Sequence, residues 1–376
     1  MIQESGTGIG NKIYSGKYKE VAAMRILIAE DEEELAKGLK FLLEKNKFSV
    51  DVVHDGTEAL DSMRCSEYDV VVLDVNMPKM NGLELLKELQ KNKIAARVVM
   101  ASTDTKEGAK TTLDALELGA LDFVHKPTSA LECRRDLFRT RLLQILSAVT
   151  ESRAPSFTKA FSMEDARASK KMVDLVSRHA GKVKGNKVVA IASSTGGPKA
   201  LQSVVPRIPS KLNAPVVIVQ HMPAGFTASL AERLNSLSEA EVKEAAEGDV
   251  LLPGKVYIAK GGMHLKIRYS GGRHVVYYSD EPPREGVKPC ANYMYEALAE
   301  SKYDEVVCAV MTGMGADGTK GISYLKGKKK IHVIAQDEDS CAVYGMPKSI
   351  VVSGLANQVV PLEQIAQEII MNVGVM

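Results

Sequence analysis

The sequence predicts an α/β protein built on two doubly wound, largely parallel sheets, and three observations support this fold class. Short β-branched runs alternate with amphipathic helical patterns in two separate series, as in parallel sheets that helices cover on both faces. The chain has 376 residues, more than the roughly 250–300 residues at which a single core stops growing. A polar stretch without a strand pattern, residues 147–185, separates the two series. We therefore expect two domains, over residues 24–146 and 186–376, and a linker between them.

The N-terminus and the linker contain few candidate elements. Residues 1–23 contain no apolar block, which predicts a disordered extension and argues against a secretory signal. Within the linker, residues 162–180 could form an amphipathic helix with Ser162 as its N-cap. No apolar run approaches the roughly 18 residues that cross a bilayer, so we expect no membrane insertion.

The composition excludes several classes of protein. The 49 Lys and Arg residues nearly balance the 47 Asp and Glu residues, so the chain lacks the basic excess of a nucleic-acid binder. The five cysteines are scattered without CxxC spacing, which indicates reduced thiols in a cytoplasmic protein and neither a disulfide framework nor a zinc site.

The first series contains four predicted strands with helices between them. These strands are RILIAE (25–30), DVVVLD (69–74), RVVMAS (97–102) and LDFVHK (121–126). Leucines at helical spacing mark one face of two of the helices, namely Leu35, Leu39 and Leu42 in one and Leu83, Leu86 and Leu89 in the other.

Polar side chains follow each of these strands: Glu30 and Asp31, then Asp74, Ser102 and Lys126. The carboxyl ends of the strands of an open α/β sheet form its ligand crevice. Three carboxylates that converge there repel one another unless a cation joins them, and Mg²⁺ prefers such oxygen ligands. The lysine offers a point charge for a phosphoryl group. Each residue alone could be an ordinary turn residue, but the five together favour a site.

The segments AEDEEE, VVVLDVNMPKMNGLELL, VVMASTD and ELGALDFVHKP give residues 24–146 a resemblance to two-component receiver domains. The resemblance implies a flavodoxin-like sheet and an Asp74 that accepts a phosphoryl group from a histidine kinase. It also implies that Mg²⁺ is held by Glu30, Asp31 and Asp74, with the backbone carbonyl of Asn76 as a further ligand.

The same resemblance implies roles for three residues of the switch. Ser102 and Lys126 would contact the phosphoryl oxygens, and Phe123 lies at the position of the family's switch aromatic. The peptide bond between Lys126 and Pro127 would be cis.

The second series resumes at residue 186 and contains a predicted antiparallel hairpin. Its strands are KVVAIAS (187–193), PVVIVQ (215–220), KVYIA (255–259), HVVYYS (274–279), EVVCAVM (305–311) and HVIAQ (332–336). The stretch 255–279 is predicted to be the hairpin, with its turn at SGG (270–272). The second domain is thus a mostly parallel α/β sheet with an antiparallel hairpin.

The first strand of this series ends in the motif SSTGGPKA, residues 193–200. The motif lacks the Lys-Ser/Thr ending of a P-loop and the GxSxG pattern of the usual esterase elbow. A serine between a strand and a helix can nevertheless act as a nucleophile if a base and an orienting acid are near. His221 and Asp317 follow later strands and are candidates. Each also has a structural interpretation, a hydrogen-bonded histidine and a turn-forming aspartate.

The segments AIASSTGGPKAL, VIVQHMPAGFTASLAERL, VMTGMGADGTKG and IAQDEDSCAVYGMPKSI resemble the catalytic domain of the chemotaxis protein-glutamate methylesterase (CheB) family over residues 187–370. The resemblance implies that Ser194 is the nucleophile, His221 the general base and Asp317 its orienting acid. It further implies that the backbone N–H of Met314 helps to hold the oxyanion and that Thr195 helps to position the histidine.

The sequence departs from the family pattern at three places. Ala192 and Ser193 stand where the family has Gly-Ala, so two serines are adjacent, and Ser194 is preferred because it precedes Thr-Gly-Gly. Lys288 and Asn292 replace an arginine and an aspartate near the expected substrate cleft. Residues 1–23 have no counterpart.

Together the resemblances imply a phosphorylation-regulated esterase of the cytoplasm. It would hydrolyse glutamate methyl esters on methyl-accepting chemotaxis receptors, release methanol, deamidate some receptor glutamines and need no cofactor in its esterase domain. A chemotaxis histidine kinase would be its phosphodonor. From the architecture, a switch domain joined to an enzyme by a basic linker, we further expect the unphosphorylated receiver to pack over the esterase cleft. Two alternatives are a response regulator with a non-catalytic binding output and a serine hydrolase of small esters.

Overall fold

The structure, a computed structural model, describes residues 24–102, 105–127, 129, 133, 136–150, 152 and 185–376. The expected N-terminal extension and most of the expected linker, including the helix predicted from Ser162, lie outside the described residues. Within these residues there are two parallel sheets with helices and a separate two-stranded antiparallel sheet, so the predicted α/β class is confirmed. We use "N-terminal domain" for residues 24–150 and "C-terminal domain" for residues 185–376.

The N-terminal domain is a five-stranded, fully parallel sheet in the order β2-β1-β3-β4-β5, the flavodoxin-like order. Its strands are β1 (Arg25–Ala29), β2 (Ser49–Val53), β3 (Val70–Asp74), β4 (Val98–Ser102) and β5 (Asp122–His125). Its helices are α1 (Glu33–Lys45), α2 (Gly56–Cys65), α3 (Gly82–Lys91), α4 (Lys106–Glu117) and α5 (Asp136–Thr150).

Local sequence signals explain where several of these helices begin. Asp55 caps α2 by accepting hydrogen bonds from the backbone N–H groups of Thr57 and Glu58. Asn81 and Glu84 form a reciprocal capping box at the start of α3, which satisfies two otherwise unpaired N–H groups.

The Lys126–Pro127 bond, expected to be cis, is not cis; within the described residues the cis peptide bond is Lys288–Pro289.

The C-terminal domain contains a seven-stranded sheet in the order β14-β13-β12-β6-β7-β9-β8, and every pair of neighbours is parallel. Its strands are β6 (Lys187–Ser193), β7 (Val216–Gln220), β8 (Glu241–Glu244), β9 (Lys255–Ile258), β12 (Glu305–Val310), β13 (Lys330–Gln336) and β14 (Gln358–Val360). Its helices are α6 (Gly197–Val204), α7 (Phe226–Leu237), α8 (Ala291–Ala299), α9 (Thr319–Lys326), α10 (Met346–Val352) and α11 (Leu362–Val373).

The antiparallel hairpin is shorter than expected. It consists of β10 (His264–Ser270) and β11 (Arg273–Ser279), and its turn lies at Gly271 and Gly272, as the sequence predicts. Both glycines have positive φ angles, 57° and 78°, which suit a tight hairpin turn. The expectation that residues 255–279 form one hairpin was wrong at its start, because β9 joins the parallel sheet.

The topology brings three strand ends of the C-terminal domain together. The chain leaves the central strand β6 for β7 on one side and later returns to β12 on the other side. The connection therefore reverses direction at β6, and such a switch point opens a crevice beyond the carboxyl ends of the strands. Ser194, His221 and Asp317 all follow these strands and lie at this crevice.

Candidate functional site

The turn after β6 places Ser194 between a buried strand and a helix. Gly196 has a φ of 75°, a backbone conformation that residues other than glycine rarely adopt. A Cβ atom at Gly197 would lie 2.0 Å from Gln220 Oε1, so only glycine fits there. The two glycines of the motif therefore allow a sharp turn packed against β7, and α6 begins at its end with Pro198 in the first turn.

The two adjacent serines are in different environments. Ser193 Oγ is buried and donates a hydrogen bond to Gln220 Oε1 over 2.6 Å. Ser194 Oγ is also buried but has no hydrogen-bond partner among the described residues. Since an unpaired hydroxyl in a buried site is uncommon unless it has a functional role, Ser194 is the better candidate nucleophile.

His221 and Asp317 form a buried pair next to this turn. His221 Nε2 lies 2.8 Å from Asp317 Oδ2, and both side chains are almost inaccessible to solvent. Within the described part of the chain, His221 Nδ1 has no partner. If Nε2 carries the proton that Asp317 accepts, Nδ1 is left with a lone pair, as a general base requires.

Asp317 is held by hydrogen-bond donors from several directions. Its carboxylate accepts hydrogen bonds from the backbone N–H groups of Ala291, Asn292 and Gly318 and from Cys290 Sγ. Burial alone would raise the pKa of this carboxyl, but His221, Cys290 and these N–H groups outweigh burial and lower the pKa to about 2. Asp317 is therefore ionised at neutral pH and can stabilise a charged His221.

A loop after β12 lies directly against Ser194. Ser194 N donates to Thr312 O over 3.0 Å, and a Cβ atom at Gly313 would lie 2.7 Å from Ser194 Cβ. Gly313 N is bonded to Val343 O. Met314, the residue expected to contribute an oxyanion donor, follows this contact point directly.

Lys288 and Asn292, the two departures from the family pattern near the expected substrate cleft, have different surroundings. Asn292 is fully buried, and its Oδ1 accepts hydrogen bonds from the N–H groups of Gly318 and Gly321. It therefore supports the loop that holds Asp317. Lys288 forms an ion pair with the exposed Asp280.

Thr195 is bonded to the N-terminal domain. It was expected to help position His221, but its Oγ1 donates a hydrogen bond to Asp122 Oδ2 over 2.5 Å. The neighbouring Gly196 N donates to Leu121 O over 3.2 Å. The two residues that follow the candidate nucleophile are thus both in contact with the start of β5.

Two further contacts extend this interface between the domains. The rings of Phe123 and Phe226 stack, with centroids 4.6 Å apart and planes 20° from parallel. Arg233 on α7 forms an ion pair with Glu117 on α4 over 2.7 Å. Phe226 and Arg233 were not singled out from the sequence, because a surface that binds another domain has no local sequence pattern.

The expected metal and phosphorylation site is assembled in the N-terminal domain. Oxygen atoms of Glu30, Asp31 and Asp74 all lie within 4.8 Å of one another. Lys126 Nζ lies 2.9 Å from Glu30 and 2.7 Å from Asp74. Burial and the nearby Asp74 raise the pKa of Glu30 to about 7, and its Oε2 has no hydrogen-bond partner in the described residues. An orphaned oxygen among converging carboxylates fits a divalent cation.

The expected phosphorylation residue, Asp74, and the expected switch residues, Ser102 and Lys126, make different contacts at this site. Burial raises the pKa of Asp74, while Lys126 and the backbone N–H groups of Val75 and Asn76 oppose this rise. Ser102 Oγ accepts a hydrogen bond from Thr112 and contacts Gly108 O, so it is bonded to α4. Lys126 therefore contacts Asp74 directly. Ser102 instead contacts α4, the helix that faces the other domain.

Comparisons with known proteins agree with this architecture. A family model described as "CheB methylesterase" matches residues 189–369, and one described as "Response regulator receiver domain" matches residues 26–137. A protein-glutamate methylesterase/protein-glutamine glutaminase of Desulfotalea psychrophila is 39% identical over 357 residues, which cover 92% of this chain and 98% of that protein. A protein of the same name from Bacillus subtilis is 38% identical over 352 residues, 92% of this chain and 97% of its own.

Among solved structures, the Thermotoga maritima CheB methylesterase catalytic domain is 42% identical. It covers 50% of this chain and 98% of its own length, with a TM-score of 0.48. None of the helices in the described part of the chain is long and apolar enough to cross a membrane.

Proposed function

Because this chain belongs to the family of protein-glutamate methylesterases/protein-glutamine glutaminases with a receiver domain, we propose that Ser194, His221 and Asp317 are its catalytic triad. The substrates are glutamate methyl esters on the cytoplasmic helices of methyl-accepting chemotaxis receptors. One observation carries the proposal: Ser194 Oγ and His221 Nδ1 are both buried and unpaired among the described residues, while His221 Nε2 is held by Asp317.

In the proposed reaction, these three residues act in turn. Ser194 Oγ attacks the ester carbonyl as His221 Nδ1 takes its proton, and Asp317 stabilises the resulting imidazolium. The backbone N–H of Met314 donates to the oxyanion of the tetrahedral intermediate, a contribution of about 3–4 kcal/mol per donor. The C–O bond breaks, and methanol leaves with the proton from His221.

Water then completes the turnover. His221 accepts a proton from the water, which attacks the acyl-enzyme, and the Ser194 hydroxyl is regenerated together with the glutamate carboxyl group. With a receptor glutamine in place of the ester, the same attack releases ammonia. We propose this deamidation for selected receptor sites.

We propose that the receiver domain inhibits the esterase by covering the turn that carries Ser194. The contacts of Thr195 and Gly196 with residues 121–122 support this, as does the stacking of Phe123 on Phe226. Phosphorylation of Asp74 by a chemotaxis histidine kinase would draw Ser102 and Lys126 toward the phosphoryl oxygens. Phe123 would then move, and Thr195 would leave Asp122 and become free to orient His221.

The acidic site of the receiver is proposed to hold Mg²⁺. Glu30, Asp31 and Asp74 would be side-chain ligands and Asn76 would contribute its carbonyl oxygen. The ion neutralises the negative charge that gathers when a phosphoryl group is transferred to a carboxylate. Lys126 already lies between Glu30 and Asp74 and would remain a charge partner for the phosphoryl group.

The proposed limits of the domains are residues 24–146 for the receiver and 186–376 for the esterase, with a linker over 147–185. The protein would act in the cytoplasm on membrane-bound receptors without entering the membrane. We propose no cofactor for the esterase domain.

Release of methanol from methylated receptor membranes tests the proposed function. Wild type should release methanol, Ser194→Ala should lose at least about 10³-fold in rate, and Ser193→Ala should lose only about threefold. Equal rates in wild type and Ser194→Ala would contradict the proposed nucleophile. No turnover in wild type would favour a non-catalytic output domain, and turnover of small esters alone would favour a generic hydrolase.

A further inference from the structure

Gln220, the last residue of β7, connects the two strands that carry the proposed nucleophile and base. Its Oε1 accepts the hydrogen bond from Ser193 Oγ over 2.6 Å. Its Nε2 donates to Ser194 O over 3.0 Å and to His221 O over 3.3 Å. One side chain therefore contacts the residue before the nucleophile, the nucleophile's own carbonyl and the carbonyl of the histidine.

The orientation of the Gln220 amide follows from its partners. The carbonyl oxygens of Ser194 and His221 can only accept, so they must face the NH₂ group. Ser193 Oγ is then the donor to Oε1. All three hydrogen bonds are internal, because Gln220 is 1% exposed and Ser193 is fully buried, so water cannot replace a lost partner.

The packing around Gln220 leaves its amide little freedom. A Cβ atom at Gly197 would lie 2.0 Å from Oε1 and 2.9 Å from Cδ, so the amide lies directly against the start of α6. The backbone supports the same junction, since His221 N donates to Ser193 O over 3.1 Å. A shift of Gln220 would therefore displace the turn of Ser194 relative to His221.

We propose that Gln220, anchored by Ser193, is a positioning residue that fixes Ser194 relative to His221. The proposal rests on the proposed function, in which these two residues exchange a proton. Gln220 is already bonded to the main chain of both, so it acts through the nucleophile and the base. The serine that departs from the family pattern thereby gains a role, as the donor that holds the amide.

A displacement of about 1 Å between reacting groups can reduce a rate about 10²-fold. Gln220→Met keeps the approximate shape of the side chain and removes all three hydrogen bonds, so we expect kcat for methanol release to fall at least tenfold. Ser193→Ala removes only the anchor and should lower kcat about threefold. KM should change less than twofold in both, because neither side chain is proposed to contact the substrate.

The test uses the full-length chain in four forms: wild type, Ser193→Ala, Gln220→Met and the double variant. The double variant should be no slower than Gln220→Met, because Ser193 acts through Gln220. Gln202→Met is the matched control, since Gln202 is a buried glutamine on α6 outside the triad, and its kcat should be unchanged. Melting temperature and the fraction of enzyme that reacts with a fluorophosphonate correct each rate for misfolded protein.

A corrected kcat for Gln220→Met within twofold of wild type would overturn the proposal, as would effects of the two substitutions that simply multiply. If Gln220→Met does not fold, the Ser193→Ala enzyme decides: an unchanged kcat overturns the anchor, and a fall at constant KM supports it. Failure of the proposed function is recognised separately, because Ser194→Ala would then remain active.

Discussion

Thr195 Oγ1 donates a hydrogen bond to Asp122 Oδ2 over 2.5 Å, which joins the residue beside the proposed nucleophile to the first residue of the last receiver strand. Both groups are buried. The receiver domain and the methylesterase domain therefore meet one residue from the proposed nucleophile.

Asp122→Ala should raise the methanol-releasing activity of the unphosphorylated enzyme. A hydrogen bond to a charged group contributes about 1.5–3 kcal/mol. Part of this free energy is recovered when the separated groups are hydrated, so we expect the basal rate of methanol release to increase about tenfold. Asp69→Ala is the control, because Asp69 bonds Arg25 within the receiver. Unchanged basal activity in Asp122→Ala would show that this contact does not restrain the enzyme.

The ion pair between Glu117 and Arg233 gives a test by charge reversal. Arg233→Glu and Glu117→Arg should each raise basal activity, and the double reversal should restore inhibition. The effect should be smaller than that of Asp122→Ala, because the Arg233 side chain is 40% exposed and exposed pairs contribute only about 0–1 kcal/mol. It should also decrease at high salt. Additive activation in the double reversal would contradict a direct pairing.

Removal of Mg²⁺ should separate regulation from catalysis. EDTA should abolish the stimulation of methanol release by acetyl phosphate, because Glu30, Asp31 and Asp74 repel one another without a cation. Basal methanol release should not change, since the triad contains no proposed metal ligand. Asp74→Asn is the matched control: it should show the same basal rate and no stimulation with or without EDTA. A loss of basal activity in EDTA would indicate a metal requirement in the esterase.

The low pKa of Asp317 predicts a dependence of stability on pH. Its pKa is about 2 in the folded chain against an ordinary value of 3.8, so the unfolded state binds a proton first as the pH falls. The stabilisation is complete above about pH 4 and is lost between about pH 4 and pH 2. It amounts to about 2 kcal/mol.

This stabilisation should be absent from Asp317→Asn. Urea unfolding followed by circular dichroism should show that the stability difference between wild type and Asp317→Asn shrinks over this pH range. A difference that is independent of pH would contradict the assigned pKa. At neutral pH the variant should also lose about 10⁴-fold in kcat, because asparagine does not hold the correct histidine tautomer.

Most of the site residues that could be predicted from the sequence lie directly after predicted strands. Buried runs such as residues 187–193 identify the central strands, and polar residues that follow them meet at one sheet edge whatever their sequence separation. Ser194, His221 and Asp317 could be predicted together for this reason. Strand β2 and the edge strands β8 and β14 were missed, because β2 and β8 carry alternating polar residues and β14 has three residues.

Contacts made by tertiary packing could not be predicted in the same way. Asp122 is one acidic residue at the start of a strand, and only the docking of the two domains brings it to Thr195. Gln220 directly precedes His221 in the sequence, a proximity that hints at a role in the site. Its bond to Ser193 nevertheless depends on the pairing of β6 with β7.

The most direct test of the account is the site and rate of labelling by a fluorophosphonate, measured on the full chain with and without acetyl phosphate. Peptide mass spectrometry should locate the label on Ser194 and not on Ser193, and acetyl phosphate should accelerate labelling in wild type but not in Asp74→Asn. A label on Ser193 would contradict the proposed nucleophile. A labelling rate that acetyl phosphate does not change would contradict the proposal that the receiver covers Ser194.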